Sequence, residues 1–116
     1  RSILSETDDS SAGAALWMIL ADIHAKKEEW EKALMAYLRI PVFYGTQIQR
    51  VPDAELKAGQ MLVKMKRYED AHAIFARLAD SYQDSAIGER AAKGKASVSG
   101  MKNEPEQETE SPPQKN

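Results

Sequence analysis

Apolar residues recur along this chain at steps of three and four, with short polar breaks between the runs. That spacing places them on one side of a helix, and five helices are predicted. The first spans about Ala12 to Lys27, with Leu16, Trp17, Leu20, Ile23 and His24 on a common face expected to be buried. Ser10 and Ser11 precede it as N-cap candidates, since a hydroxyl can satisfy the free N–H groups of a first turn. The second helix buries Trp30, Ala33, Leu34, Tyr37 and Leu38. Pro41 lacks an N–H and crowds the turn before it, which predicts a kink. Apolar Val42, Phe43 and Tyr44 then carry the helix on to Gly45. After a loop over 46–51, Pro52 suits a first helical turn, and Asp53 and Glu55 complement its dipole. This third helix runs to about Met65 through Leu56, Ala58, Met61 and Leu62. Gly59 inside it costs about 0.5–1 kcal/mol relative to Ala, which a close helix contact would explain. The fourth helix packs through Tyr68, Ala71, Ile74, Phe75, Leu78 and Tyr82, and Ser85 caps a fifth over about Ala86 to Ala96.

The pattern repeats. Trp30-Glu31-Lys32-Ala33-Leu34-Met35-Ala36-Tyr37 and Tyr68-Glu69-Asp70-Ala71-His72-Ala73-Ile74-Phe75 share an aromatic, a small Ala and a second aromatic at an offset of 71 − 33 = 38 residues. The same offset relates Lys26 to Lys64, Arg39 to Arg77, Tyr44 to Tyr82, Ala54 to Ala92 and Lys57 to Lys95. A period of this size marks an array of helical repeats. The predicted organisation is a linker or the end of a preceding helix over 1–11, then a repeat domain over 12–97. Within that domain the first repeat covers about 14–51, the second about 52–85, and a terminal helix 86–97. The segment 98–116 is rich in Glu, Gln, Lys, Pro and Ser and has no aromatic. It lacks the apolar area to offset the entropy of ordering, so disorder is expected there.

These residues resemble the tetratricopeptide repeat family. Trp17, Leu20, Ala21 and His24 stand where the first helix of such a repeat carries its aromatic, Leu, small residue and Tyr. Trp30, Ala33 and Tyr37 match the second helix, and Gly59, Leu62, Tyr68, Ala71 and Phe75 match in the second copy. Glu55 and Ala58 depart from the large residues of the pattern, neither turn has the usual Gly, and the period exceeds the usual 34. The long form, with its Tyr-Gln-Asp-Ser linker, is similar to repeats of bacterial cell-envelope proteins, although Gly45 and Gln83 stand at the Pro position. The resemblance implies an all-α solenoid, with antiparallel helix pairs stacked in a right-handed superhelix. It also implies a non-catalytic scaffold that binds a peptide or protein in a concave groove, or associates with neighbouring repeats or a second copy, with the bacterial periplasm or cell envelope, or otherwise the cytoplasm, as its location. The groove residues would be Met18, Asp22, Ala25 and Lys26 from the first copy and Leu56, Gln60, Val63 and Lys64 from the second.

Charge and candidate chemistry change this picture little. The chain has 16 basic and 18 acidic residues, and the part from Ser99 onward accounts for 2 − 4 = −2, leaving a formally neutral body. Such a body lacks the basic footprint expected of a nucleic-acid binder. Cysteine is absent, so disulfides and thiolate metal sites are excluded. The longest apolar run, about Ala12 to Ala21, is half the roughly 20 residues a membrane span needs, so a buried helix and no span is expected. His24 and His72 lack the spacing of a metal site, which needs three or four converging ligands. No Gly-rich phosphate loop is present, and no serine has a base placed beside it by spacing. The expectation is therefore no enzyme and no cofactor. The open alternatives are a structural spacer between neighbouring repeats, and regulatory repeats attached to an enzyme.

Overall fold

The computed structural model describes residues 2–102, with side chains from Ser10 onward. Five helices follow one another: α1 (Ser2–Lys26), α2 (Trp30–Phe43), α3 (Arg50–Lys64), α4 (Tyr68–Ser81) and α5 (Ala86–Val98). No strand occurs among the described residues. Each helix packs on the next, and α3 also meets α1 and α5.

The turns α1–α2 and α3–α4 are the same structure made twice. Glu28 and Lys66 both take a left-handed φ of 63°. Around Glu28, its N–H donates to the Ala25 carbonyl and the Glu29 N–H to that of His24. Around Lys66, its N–H donates to the Val63 carbonyl and the Arg67 N–H to that of Leu62. This is the Schellman arrangement, which satisfies the last free carbonyls of a helix. Its left-handed position usually holds Gly, but here carries a charged side chain.

Antiparallel packing is visible in the contacts. From α1 to α2, Trp17 meets Arg39, Asp22 meets Tyr37, and His24 meets Glu29. From α2 to α3, Tyr37 meets Lys57 and Trp30 meets Lys64. In each series the residue number rises on one helix as it falls on the other. Alanines fill the crossings. Ala14, Ala21, Ala33, Ala54, Ala58, Ala71 and Ala91 are fully buried, so the backbones approach closely. Ile40, Leu56 and Leu78 are the largest wholly buried side chains, and burial of each contributes about 1.5–3 kcal/mol.

Several expectations are corrected. No break separates 2–11 from the first helix, because α1 is continuous from Ser2. The stretch contains no proline to interrupt it, and Ser11 accepts a hydrogen bond from Arg50 Nη1 at 3.2 Å instead of capping. Pro41 lies inside α2, which runs on to Phe43 as expected. Val98 belongs to α5 and is buried, so the helix outlasts the boundary at 97. The expected disorder of the tail lies, from residue 103 on, outside the described residues.

The largest correction concerns α1. Leu16, Ile19, Leu20 and Ile23 are 64%, 54%, 40% and 45% exposed. α2 covers the side of α1 that carries Gly13, Trp17, Asp22 and His24. The neighbouring side has no helix over it among the described residues. On α3, one repeat later, the matching Ala54, Ala58 and Met61 are buried, and Ala54 packs with Ile40 of α2.

Candidate functional site

The sequence-predicted groove residues do not form one row. Met18 is half-buried and packs against both apolar clusters of the core. The Asp22 carboxylate accepts a hydrogen bond from the Tyr37 hydroxyl and pairs with Lys57 Nζ at 3.5 Å. Lys57 also faces Asp53 at 3.8 Å. These ties join α1, α2 and α3 and engage Asp22, expected as a groove residue, within the helix packing. Ala25 is half-buried against the core, while Lys26 is exposed. Leu56 is only 1% exposed and belongs to the core, so it offers no groove anchor. The reason is crowding: α3 has α2, α4 and α5 around it, which leaves a narrow free arc.

Gln60, Val63 and Lys64 lie on that free arc and do line a groove. It runs between α3 and α5, with a volume of about 560 Å³. Met61 and Phe75 contribute apolar surface to it, and Arg90, Lys93, Gly94 and Ser97 line it from α5. Local chemistry positions both walls. The Ser85 hydroxyl accepts from the Gly88 N–H at 3.1 Å and donates to the Tyr82 carbonyl at 2.5 Å, which fixes the start of α5. Gly59 and Gly94 approach opposite edges of the Phe75 ring. A Cβ on either would lie 2.7 and 2.8 Å from it, respectively.

The electrostatics of this groove are one-sided. Among the described residues, Lys64, Arg90 and Lys93 line it and no carboxylate does. Neither Arg90 nor Lys93 has an ion-pair partner among the described residues. Lys64 also places its ammonium 5.5 Å from the ring centroid of Trp30 on α2, a cation–π contact. Sequence reasoning missed the α5 wall. Its only signal was Arg90, Lys93 and Ser97 at steps of three and four, which share a helical face.

His24 performs a structural task. Its Nδ1 lies 2.6 Å from Glu29 Oε1, tying α1 to the start of α2 across the turn. This hydrogen bond, joined by the charges of Lys32 and Lys27, holds the Glu29 carboxyl below the usual carboxylate range. His72 is half-buried on α4. Among the described residues, no group of three or more His, Asp or Glu is placed to hold a metal ion. No helix among them is long and apolar enough to cross a membrane. Comparison with protein-family models, curated proteins and solved structures returns no match.

Proposed function

We propose that this chain is a non-catalytic protein–protein interaction module of tetratricopeptide-repeat type, with its helix pairs stacked as a right-handed superhelix. It binds a peptide segment of a partner in the groove between α3 and α5. The observation that carries this reading is the groove itself, where apolar Met61 and Phe75 lie between walls bearing Lys64, Arg90 and Lys93. An apolar surface rewards side-chain burial, and cations around it select the charge of what is buried. The bacterial cell envelope is the proposed setting, from the long repeat and its linker. A single short groove supports affinity on the order of micromolar or weaker.

A second reading is favoured by one observation. The exposed Leu16, Ile19, Leu20 and Ile23 stand where the matching face of α3 is covered by α2. On this reading the module is a spacer whose α1 stacks against a neighbouring repeat. The test is affinity capture from the native source with three baits: wild type, a Lys64→Glu, Arg90→Glu, Lys93→Glu variant, and a Leu16→Lys, Ile23→Lys variant. Each must show an unchanged helical circular dichroism spectrum. Partners lost only by the first variant support groove binding, and partners lost only by the second support stacking through α1.

A further inference from the structure

We propose that this chain pairs with a second copy of itself through α1, with the two α1 helices antiparallel about a two-fold axis between residues 17 and 18. The surface involved shares no residue with the α3–α5 groove, so the proposal does not rest on the reading of that groove.

Area is the first argument. Among the described residues, every exposed large hydrophobic except Met101 lies between Leu16 and Ile48. On α1, Ala12, Leu16, Ile19 and Ile23 are all exposed and follow at steps of four, three and four. That is the a and d spacing of a coiled-coil seam. Leu20, also exposed, widens the seam toward Trp17. The apolar surface continues onto α2. Trp17, Met35 and Arg39 line one hollow, and Met35, Arg39, Val42 and Phe43 line the next. Met35, Val42 and Phe43 are 60–68% exposed. A half-exposed side chain of this size leaves on the order of 50 Å² of apolar area in water, so the patch presents roughly 350 Å². Interfaces are about 56–65% apolar, so covering this patch takes roughly 600 Å² per copy. Two copies together reach the roughly 1,200 Å² at which specific dimers begin. An interface of that size supports affinity on the order of micromolar.

Charge selects the occupant and its direction. At the other end of the stack, α5 exposes Glu89, Arg90, Lys93 and Lys95 and no large apolar residue. Head-to-tail stacking of copies would bury those charges against leucine and isoleucine without partners. A two-fold axis instead brings the same patch to itself, apolar against apolar. Lys26 continues the seam three residues after Ile23 and is exposed. Parallel helices would set Lys26 beside Lys26 of the partner. Antiparallel helices send the two lysines to opposite ends and bring opposite helix-dipole ends together. In an antiparallel pair the a positions face d positions. Leu16 then meets Ile19 of the partner, and Ile23 meets Ala12 of the partner. In this register all four apolar seam positions face apolar ones.

Two measurements on the full chain test this. The first is sedimentation velocity over about 1–300 µM, a range that brackets micromolar affinity. The expected result is a shift from monomer to dimer with rising concentration. A Leu16→Lys, Ile23→Lys variant with an unchanged helical circular dichroism spectrum should stay monomeric throughout. A wild type that stays monomeric overturns the proposal, as do species larger than a dimer or a folded Lys variant that still dimerises. The second measurement needs no change to the apolar seam. Cysteine is absent, so a nitroxide on Lys26→Cys reports one distance between copies by pulsed electron paramagnetic resonance. Antiparallel pairing about residues 17 and 18 separates the two labelled positions by about 25 Å along the helix axes. Labels side by side in the dimer overturn the antiparallel register. Neither result bears on the α3–α5 groove, whose variants are tested separately by affinity capture.

Discussion

Arg39 stacks over Trp17, with its guanidinium carbon 4.3 Å from the ring centroid. Both positions recur 77 − 39 = 55 − 17 = 38 residues later, where Arg77 meets Glu55 at 3.1 Å. The clasp between the two helices of a pair is thus kept while its chemistry changes from cation–π to ion pair. Double-mutant cycles should give about 0.5–1 kcal/mol for the first pair and about 0.2–1 kcal/mol for the second. Salt separates them. At 1 M salt the Glu55–Arg77 coupling should shrink, because Arg77 is half exposed and the screening length is about 3 Å. The Trp17–Arg39 coupling should fall less, since ring contact adds dispersion that salt does not screen. Denaturation midpoints of the single and double variants at low and high salt measure both.

Two glycines should respond differently to a methyl group. At Gly59 the new Cβ would lie 2.7 Å from the Phe75 ring, a side chain that can shift. Gly59→Ala should destabilise by about 1–3 kcal/mol through overpacking, despite the better helix propensity of Ala. At Gly88 the Cβ would lie 2.0 Å from the Tyr82 carbonyl oxygen, which is backbone held by the Ser85 hydroxyl. Gly88→Ala should cost more than Gly59→Ala and should displace the start of α5. Urea denaturation ranks the two, and loss of amide protection in the first turn of α5 identifies the second mechanism.

What was legible in the sequence was what depends on near neighbours. The Ser85 cap, the helix continuing through Pro41 and the turn between Lys26 and Trp30 are set by residues a few positions apart. Periodicity also placed Leu16, Leu20 and Ile23 on one face of α1. It carries no information on whether another helix lies over that face, so their exposure was not legible. Leu56 failed for the opposite reason. Its place on the third helix was read correctly, but the arc of α3 left free depends on how many helices crowd it. The cationic wall of the groove joins Lys64 to Arg90 and Lys93 across two helices, and the formal neutrality of the body hid that local excess.

The repeated left-handed turns give a prediction in the stabilising direction. Glu28 and Lys66 hold a φ of 63° with side chains that make it costly, by about 1–2 kcal/mol for an L-residue. Gly removes that cost but gives back about 0.5–1 kcal/mol through the greater freedom of the unfolded chain. Glu28→Gly and Lys66→Gly should therefore each stabilise by up to about 1 kcal/mol, and roughly additively at separate turns. Asp84 has a φ of 64°, but Asp tolerates this region through local hydrogen bonding. Asp84→Gly should gain less than either. Thermal midpoints of the three single variants and the Glu28→Gly, Lys66→Gly pair provide the comparison.

Tyr37 gives the chain a specific response to alkali. Its ring is buried, and its hydroxyl donates to Asp22. Burial first, and then the hydrogen bond and charge of Asp22, push the phenol well above its ordinary range. The folded chain therefore holds this proton more tightly than the unfolded chain, whose phenol titrates near pH 10. Stability from this group is complete below about pH 10 and is lost as pH rises through the folded value, with a slope approaching about 1.4 kcal/mol per pH unit. Tyr37→Phe removes the titrating group and the hydrogen bond together. At neutral pH it should cost about 0.5–1.5 kcal/mol, with Asp22 still held by Lys57. Above about pH 10 its stability should fall less steeply than that of the wild type, so the two curves converge. Urea midpoints measured across the alkaline range test this. Parallel curves would show that Tyr37 ionises at the same pH in both states, and that its bond to Asp22 does not restrain the proton.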